Sequence, residues 1–329
     1  MSDDRRDFSM PEAPGPVPDT TVITDADAAP EEKSYSQGQL VRRRFFRHKG
    51  AMVALGVLIA ITLLAFTSIG FGPIPGWWGK NFTDTGSILD GGRPTIGWFS
   101  LGEHPFGQDQ TGRDFFALTM RGTQISLTIA FTVGIVSTII GTIIGAIAGY
   151  FRGWAEAFLM RVTDLFIIIP LLVLAAVLGR IAGDRGIIAL SLTLAAVTWT
   201  SLARLVRGEV LSLREREFVT AARAIGTGSA RIIARHILPN TVGVIIVATT
   251  FAIAAAILLE TSLSFLGFGV QPPDISLGSL IDRYQTAFTS RPWLFWFPGM
   301  FILAIALSVN FIGDGLRDAF DPRQNKDGR

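Results

Sequence analysis

The sequence contains no cysteine, which excludes disulfides, thiolate nucleophiles and Cys-ligated metal sites together. Its three histidines, His48, His104 and His236, lie in separate segments, so no metal site is expected. A Gly-x-x-x-x-Gly-Lys-Ser/Thr phosphate loop is also missing, the nearest Gly-Lys being Gly79 and Lys80. No residue is therefore expected to be catalytic and no cofactor to bind, and any ATP would be bound by partner subunits. Charge is scarce as well: 17% of the 329 residues are charged against 49% hydrophobic. The scarcity is uneven and leaves long uncharged gaps.

A helix needs about 20 mostly apolar residues to cross a hydrocarbon core about 30 Å thick. Four gaps reach that length, at 50–79, 122–151, 236–259 and 292–313. Two shorter ones, 165–179 and 186–203, reach it when their polar flanks sit at the interface. None shows the polar face of a helix from a soluble protein. These runs predict an all-α integral membrane protein with about six transmembrane helices, lying in lipid.

Residues 1–38 are acidic and Pro-rich, with few large apolar side chains, and read as a disordered tail. No apolar core follows Arg5 and Arg6, so a signal peptide is not expected there. The first span and its following loop occupy 39–121. A core of five further spans occupies 122–323, with a polar loop at 204–240, and 324–329 form a short tail. Arg42, Arg43, Arg44, Arg47 and Lys49 precede the first span with no acid among them, which orients that end to the cytoplasm. Beside a span, such a cluster reads as a topology signal and not as a nucleic-acid patch. Six spans threaded from this start leave more than twice as many Lys and Arg on the cytoplasmic side as outside, with both termini inside.

Local patterns add detail. Trp77, Trp78 and Trp98 give the first outer loop a composition suited to the headgroup interface. Ser137, Gly141, Gly145 and Gly149 recur every four residues, leaving one helix face almost free of side chains for close packing. Asp164 lies three residues after Arg161, and Asp314, Arg317 and Asp321 follow i, i+3 and i+4 spacing, so ion pairs within each helix are expected.

The loop at 204–240 is too polar to span. Good helix formers run from Arg214 to Ile225 and put Phe218, Ala221, Ala222 and Ile225 on one face. Gly226 and Gly228 end that helix, Ser229 is placed to cap a second one, and Pro239 marks the turn into the next span. The result is a short helix with a small apolar face between two spans, suited to docking into a groove.

Here the chain resembles a known family. Import permeases of the ATP-binding-cassette class carry Glu-Ala-Ala, three residues, Gly, and then a segment leading to Ile-x-Leu-Pro. This sequence has Thr220, Ala221, Ala222, Arg223, Gly226, then Ile237, Leu238 and Pro239, with Thr220 in place of the Glu. That variant is similar to the peptide-transporter branch, as are HPFGQDQTGRD at 104–114, ETSLSFLGFGVQPP at 260–273 and NFIGDGLRDAFDPR at 310–323. The likeness covers about residues 38–323. It implies a type I importer permease fold, the C-type subunit of a dipeptide or oligopeptide importer in a bacterial plasma membrane, with Phe218 to Gly226 coupling to an ATPase. The implied partners are a second homologous permease, two ATP-binding-cassette domains or subunits, and an extracytoplasmic binding protein that delivers peptide. Related importers carry nickel chelates, glutathione or other small solutes. An ATP-independent secondary transporter is the alternative from another class, although it leaves the docking helix without a use and calls for more ionisable residues in the spans.

Glu260 is the one charge between Arg235 and Asp274. An acid within a span warrants a place on a translocation path; the other reading is a hydrogen bond to a neighbouring helix or backbone.

Overall fold

The computed structural model describes residues 37–97, 100–183 and 185–321, and the compact unit begins at Gly38. Of the expected tails at 1–38 and 324–329, residues 1–36 and 324–329 lie outside the described residues, as does Trp98, while Gln37 and Gly38 already belong to a helix. Helix α1 (Gln37–Arg47) leads into α2 (Lys49–Ser68), and a two-stranded hairpin of β1 (Gly70–Phe71) and β2 (Ile74–Pro75) follows. The remaining helices are α3 (Phe115–Phe151), α4 (Gly153–Ile168), α5 (Leu171–Gly183), α6 (Ile187–Thr198), α7 (Thr200–Arg214), α8 (Glu217–Ala224), α9 (Ser229–Ile232), α10 (Leu238–Phe265), α11 (Leu277–Tyr284) and α12 (Trp293–Phe320). One π turn, Ile233–Ile237, joins α9 to α10.

Four helices are long and apolar enough to cross a membrane: Lys49–Ser68, Phe115–Phe151, Ser229–Phe265 and Trp293–Phe320. The two shorter runs are each broken. α4 and α5 bend by 88° where Pro170, with no N–H and a ring that clashes with the preceding turn, interrupts the ladder. α6 and α7 bend by 47° at Trp199. Six spans result if each bent pair counts as one.

Helix α3 starts at Phe115, seven residues before the gap expected from charge spacing. Arg121 does not end it, because its guanidinium is held by Gln124 Oε1 at 3.1 Å and Asp274 Oδ1 at 3.4 Å. α3 is the central rod, packed against α7, α10 and α6, while α12 lies on α10 and α2. Its small-residue face is occupied by α7: a Cβ on Gly145 would lie 2.5 Å from the Ala203 carbonyl, and one on Gly149 2.8 Å from that of Arg207. Backbones therefore meet where only glycine fits.

Two local ion-pair expectations are corrected. Asp164 is bound by Arg204 of α7 and not by Arg161. The Asp314–Arg317–Asp321 ladder does not form among the described residues. The end of α12 is instead tied to the first helices, through Arg44 Nη1 to the Asp321 carbonyl at 3.0 Å and His48 Nε2 to Asp318 at 3.5 Å. For Asp164, a partner on a packed neighbouring helix wins over one on the same helix.

Candidate functional site

The loop between α7 and α10 folds as the short helices α8 and α9, and its turn is set by Gly226. Gly226 has φ +80, and the Thr227 N–H donates to the Ala222 carbonyl at 3.0 Å while Gly226 N–H donates to Arg223 at 3.0 Å. This is a Schellman stop, in which the left-handed residue costs least as glycine. The next helix is capped by Gly228 and not by Ser229, which is already its first helical residue and makes no capping bond. Pro239 falls in the first turn after the π segment, so the chain passes into the span through a widened turn and not through a separate loop.

The expected apolar face of α8 is split in two. Val219 and Ala222 turn inward against Tyr150, Val206, Val210, Ile232 and Ile237 of the same chain. Ala222, 6% exposed, is thus core and not part of the outward face. Phe218 (41% exposed), Ala221 and Ile225 (83% exposed) face outward, as do Thr220 and Arg223. The physical reason is that an amphipathic stripe read from sequence gives the width of the apolar arc, while the neighbouring helices decide which edge of it they cover.

Beside this loop lies a cleft of about 950 Å³. It is walled by α10 from Gly243 to Leu259, by the break at Pro170 and by the bend between α6 and α7. Its polar lining consists of hydroxyls such as Ser137, Thr198 and Ser201, and the charged residues on it among the described residues are Arg317 and Asp321, at the end of α12. Glu260 is not on it. That carboxylate is 1% exposed and turned to the other side of α10, where Ser126 of α3 donates to Oε2 at 3.1 Å and Ser264 to Oε1 at 2.7 Å. Ser126 Oγ accepts the Leu277 N–H at 3.1 Å, and Ser264 Oγ lies 3.2 Å from Ser276 Oγ. Glu260 thereby joins α3, α10 and α11.

Residues 141–326 match the family described as the binding-protein-dependent transport system inner membrane component. The chain belongs to this family of permeases. Residues 36–75 also match the N-terminal transmembrane domain of oligopeptide transport permease C. The permease is 40% identical over 288 residues to the oligopeptide transport system permease protein OppC of Mycobacterium tuberculosis, covering 87% of this chain and 95% of the relative. It is 39% identical over 292 residues to a putative peptide permease protein of Brucella ovis, covering 88% and 92%. With OppC of Haemophilus influenzae it shares 37% over 285 residues, covering 87% and 88%. It is thus a multi-pass inner-membrane protein with the all-α fold of type I ATP-binding-cassette importer permeases.

At the end of the permease opposite α8, the segment 104–114 forms a buried polar knot. Asp114 caps α3, accepting from Ala117 N–H at 2.7 Å and Trp78 Nε1 at 3.2 Å, with His104 Nδ1 at 2.8 Å from its other oxygen. Asp109 receives Arg113 Nε at 2.7 Å and the Tyr284 hydroxyl at 2.8 Å, and Arg291 Nη1 donates to its carbonyl at 2.9 Å. Burial acts to raise the Asp109 carboxyl, but the bonds from Arg113 N–H, Thr111 and Tyr284 outweigh it and hold it below the usual carboxylate range. Burial, then the Asp109 charge and hydrogen bond, push the Tyr284 phenol up to about 12. Sequence motif alone marked 104–114 as notable; Tyr284 and Arg291, some 170 residues away, carry no local signal of this role.

Proposed function

We propose that this permease is the C-type membrane subunit of an ATP-driven importer of dipeptides or oligopeptides, with α8 docking an ATPase subunit. The observation that carries the reading is the outward face of α8. Phe218, Ala221 and Ile225 form an apolar surface on a helix held in place from behind, and an exposed apolar face of this kind fits a groove on a soluble partner. The excess of basic residues at this end supports a cytoplasmic location. The printed names of the relatives support peptide as substrate. In this reading the cleft is half of the translocation path, and a second homologous permease supplies the other half. ATP closes the ATPase pair, α8 follows, and the path opens toward the binding protein that delivers peptide. Away from Arg317 and Asp321 at one end, the walls are hydroxyls and apolar groups that offer a peptide's side chains no fixed charged partner, which suits cargo of varied sequence.

Ile225→Glu tests this. An unpaired charge in a desolvated contact costs several kcal/mol, so co-purification of the ATPase subunits should fall by more than about a hundredfold in affinity, with the permease pair intact. Unchanged ATPase binding and uptake would refute the docking role. Ala222→Glu should behave differently and lower the thermal stability of the permease itself, because that position faces its own core.

A further inference from the structure

Three elements converge on one ring. Tyr150, 6% exposed, stands in the last turn of α3. Arg214, at the end of α7, has its guanidinium carbon 5.9 Å from the ring centroid, and Arg223, in the last turn of α8, has its own at 5.8 Å. Both lie within cation–π range. Nε and Nη1 of Arg214 are buried with no hydrogen-bond partner among the described residues, which leaves the Tyr150 ring as a neighbour that can favour the cation. The same ring packs with Val219 and Ala222, the inward side of α8. An ion pair between Arg152 and Glu215 at 3.2 Å closes the junction from the side.

We propose that Tyr150 is the positioning residue through which displacement of α8 is passed into α3. This rests on the reading of α8 as the ATPase-docking helix. Helix α3 is 37 residues long, or about 55 Å, and carries Tyr150 in its last turn and the Asp114 cap of the polar knot at its start. Over its last third, at Gly141, Gly145 and Gly149, its glycine face packs closely against α7 and the bend before it. A push on α8 has two ways to act: it moves α3 as a rod, or it is absorbed by slippage between α8 and the end of α3. The ring joins one guanidinium from α7 to one from α8 and so resists slippage: Arg223 reaches back to it from the exposed side of α8, and a ring drawn away from Arg214 would leave the buried Nε and Nη1 with neither a π face nor a hydrogen-bond partner.

The test uses the whole complex, with ATPase subunits and binding protein, reconstituted in vesicles. Tyr150→Leu keeps an apolar filler and removes the π face, while Tyr150→Phe keeps the face and removes only the hydroxyl. The expected result is that Tyr150→Leu still binds the ATPase subunits but takes up at least about fivefold less peptide per ATP, the low end of typical coupling energies, and that Tyr150→Phe restores the ratio. Wild-type uptake per ATP with Tyr150→Leu, or no rescue by Tyr150→Phe, overturns the proposal. Should Tyr150→Leu fail to assemble, Arg214→Gln removes one cation and leaves the ring, and an unchanged ratio there overturns it equally. Failure of the docking reading is distinguishable, since it appears as ATPase binding that survives Ile225→Glu.

Discussion

Single residues decide how closely the helices of this permease approach. Gly145 and Gly208 lie on different sides of the same packed pair, and they should respond in opposite ways. A methyl on Gly145 would meet the Ala203 carbonyl at 2.5 Å, a backbone atom that cannot rotate aside, whereas nothing lies within 4 Å of one on Gly208. Gly145→Ala should therefore cost about 1–3 kcal/mol through overpacking, while Gly208→Ala should be neutral or stabilising by up to about 1 kcal/mol from helix propensity. Thermal unfolding of the purified permease in detergent would compare them directly, and equal midpoints would show that the α3–α7 approach is looser than described. Glu260 is governed by the opposite logic, being a polar group that others depend on. Glu260→Ala strands the Ser126 and Ser264 hydroxyls in a buried place, for about 1–3 kcal/mol. Glu260→Gln keeps an acceptor there and should lose less; a larger loss from Gln than from Ala would contradict the tie between α3, α10 and α11.

Elements differ in what fixes them. Helix α8 is only eight residues long, too short to persist alone, so its position comes from the core behind it and the stop after it. Gly226→Val should displace it without changing its outward face, because a β-branched residue is strained at φ +80 even though no atom lies in the way. ATPase association should weaken while the outward residues remain wild type, and normal uptake by this variant would mean that the turn tolerates rearrangement. The knot at 104–114 is fixed by charge. Because the Asp109 carboxyl is lowered in the folded state, its contribution is present above the usual carboxylate range and is lost as pH falls through the folded value. Tyr284 has the opposite sign: its contribution is present below about pH 10, the ordinary phenol value, and fades as pH rises through about 12. Proteolysis of the loop at 70–114 should accordingly accelerate below about pH 4, and Asp109→Asn should make it fast at neutral pH. A cleavage rate independent of pH in the wild-type chain would refute this account.

Over the whole molecule, the cleft beside the bent helices should control passage without affecting assembly. Ala255 lines it with its side exposed, so Ala255→Trp should block uptake while ATPase binding stays normal, as a transport assay on the assembled complex would show. By itself the sequence determined the lipid environment, the all-α class, the four unbroken spans, the close-packing glycine face and the helix that ends at Gly226. Each is set by properties that reside in a run of neighbouring residues: the transfer of apolar side chains into hydrocarbon, the absence of a Cβ, a left-handed turn. Tertiary structure alone decided that Arg121 lies inside a helix, that Arg204 and not Arg161 takes Asp164, and that Ala222 belongs to the core while Phe218, Ala221 and Ile225 do not. It also turned Glu260 away from the cleft and brought Tyr284 onto Asp109. In every one of these cases the outcome depends on which group from a distant segment satisfies a charge or covers an apolar edge in the folded chain, and local spacing carries no record of that neighbour.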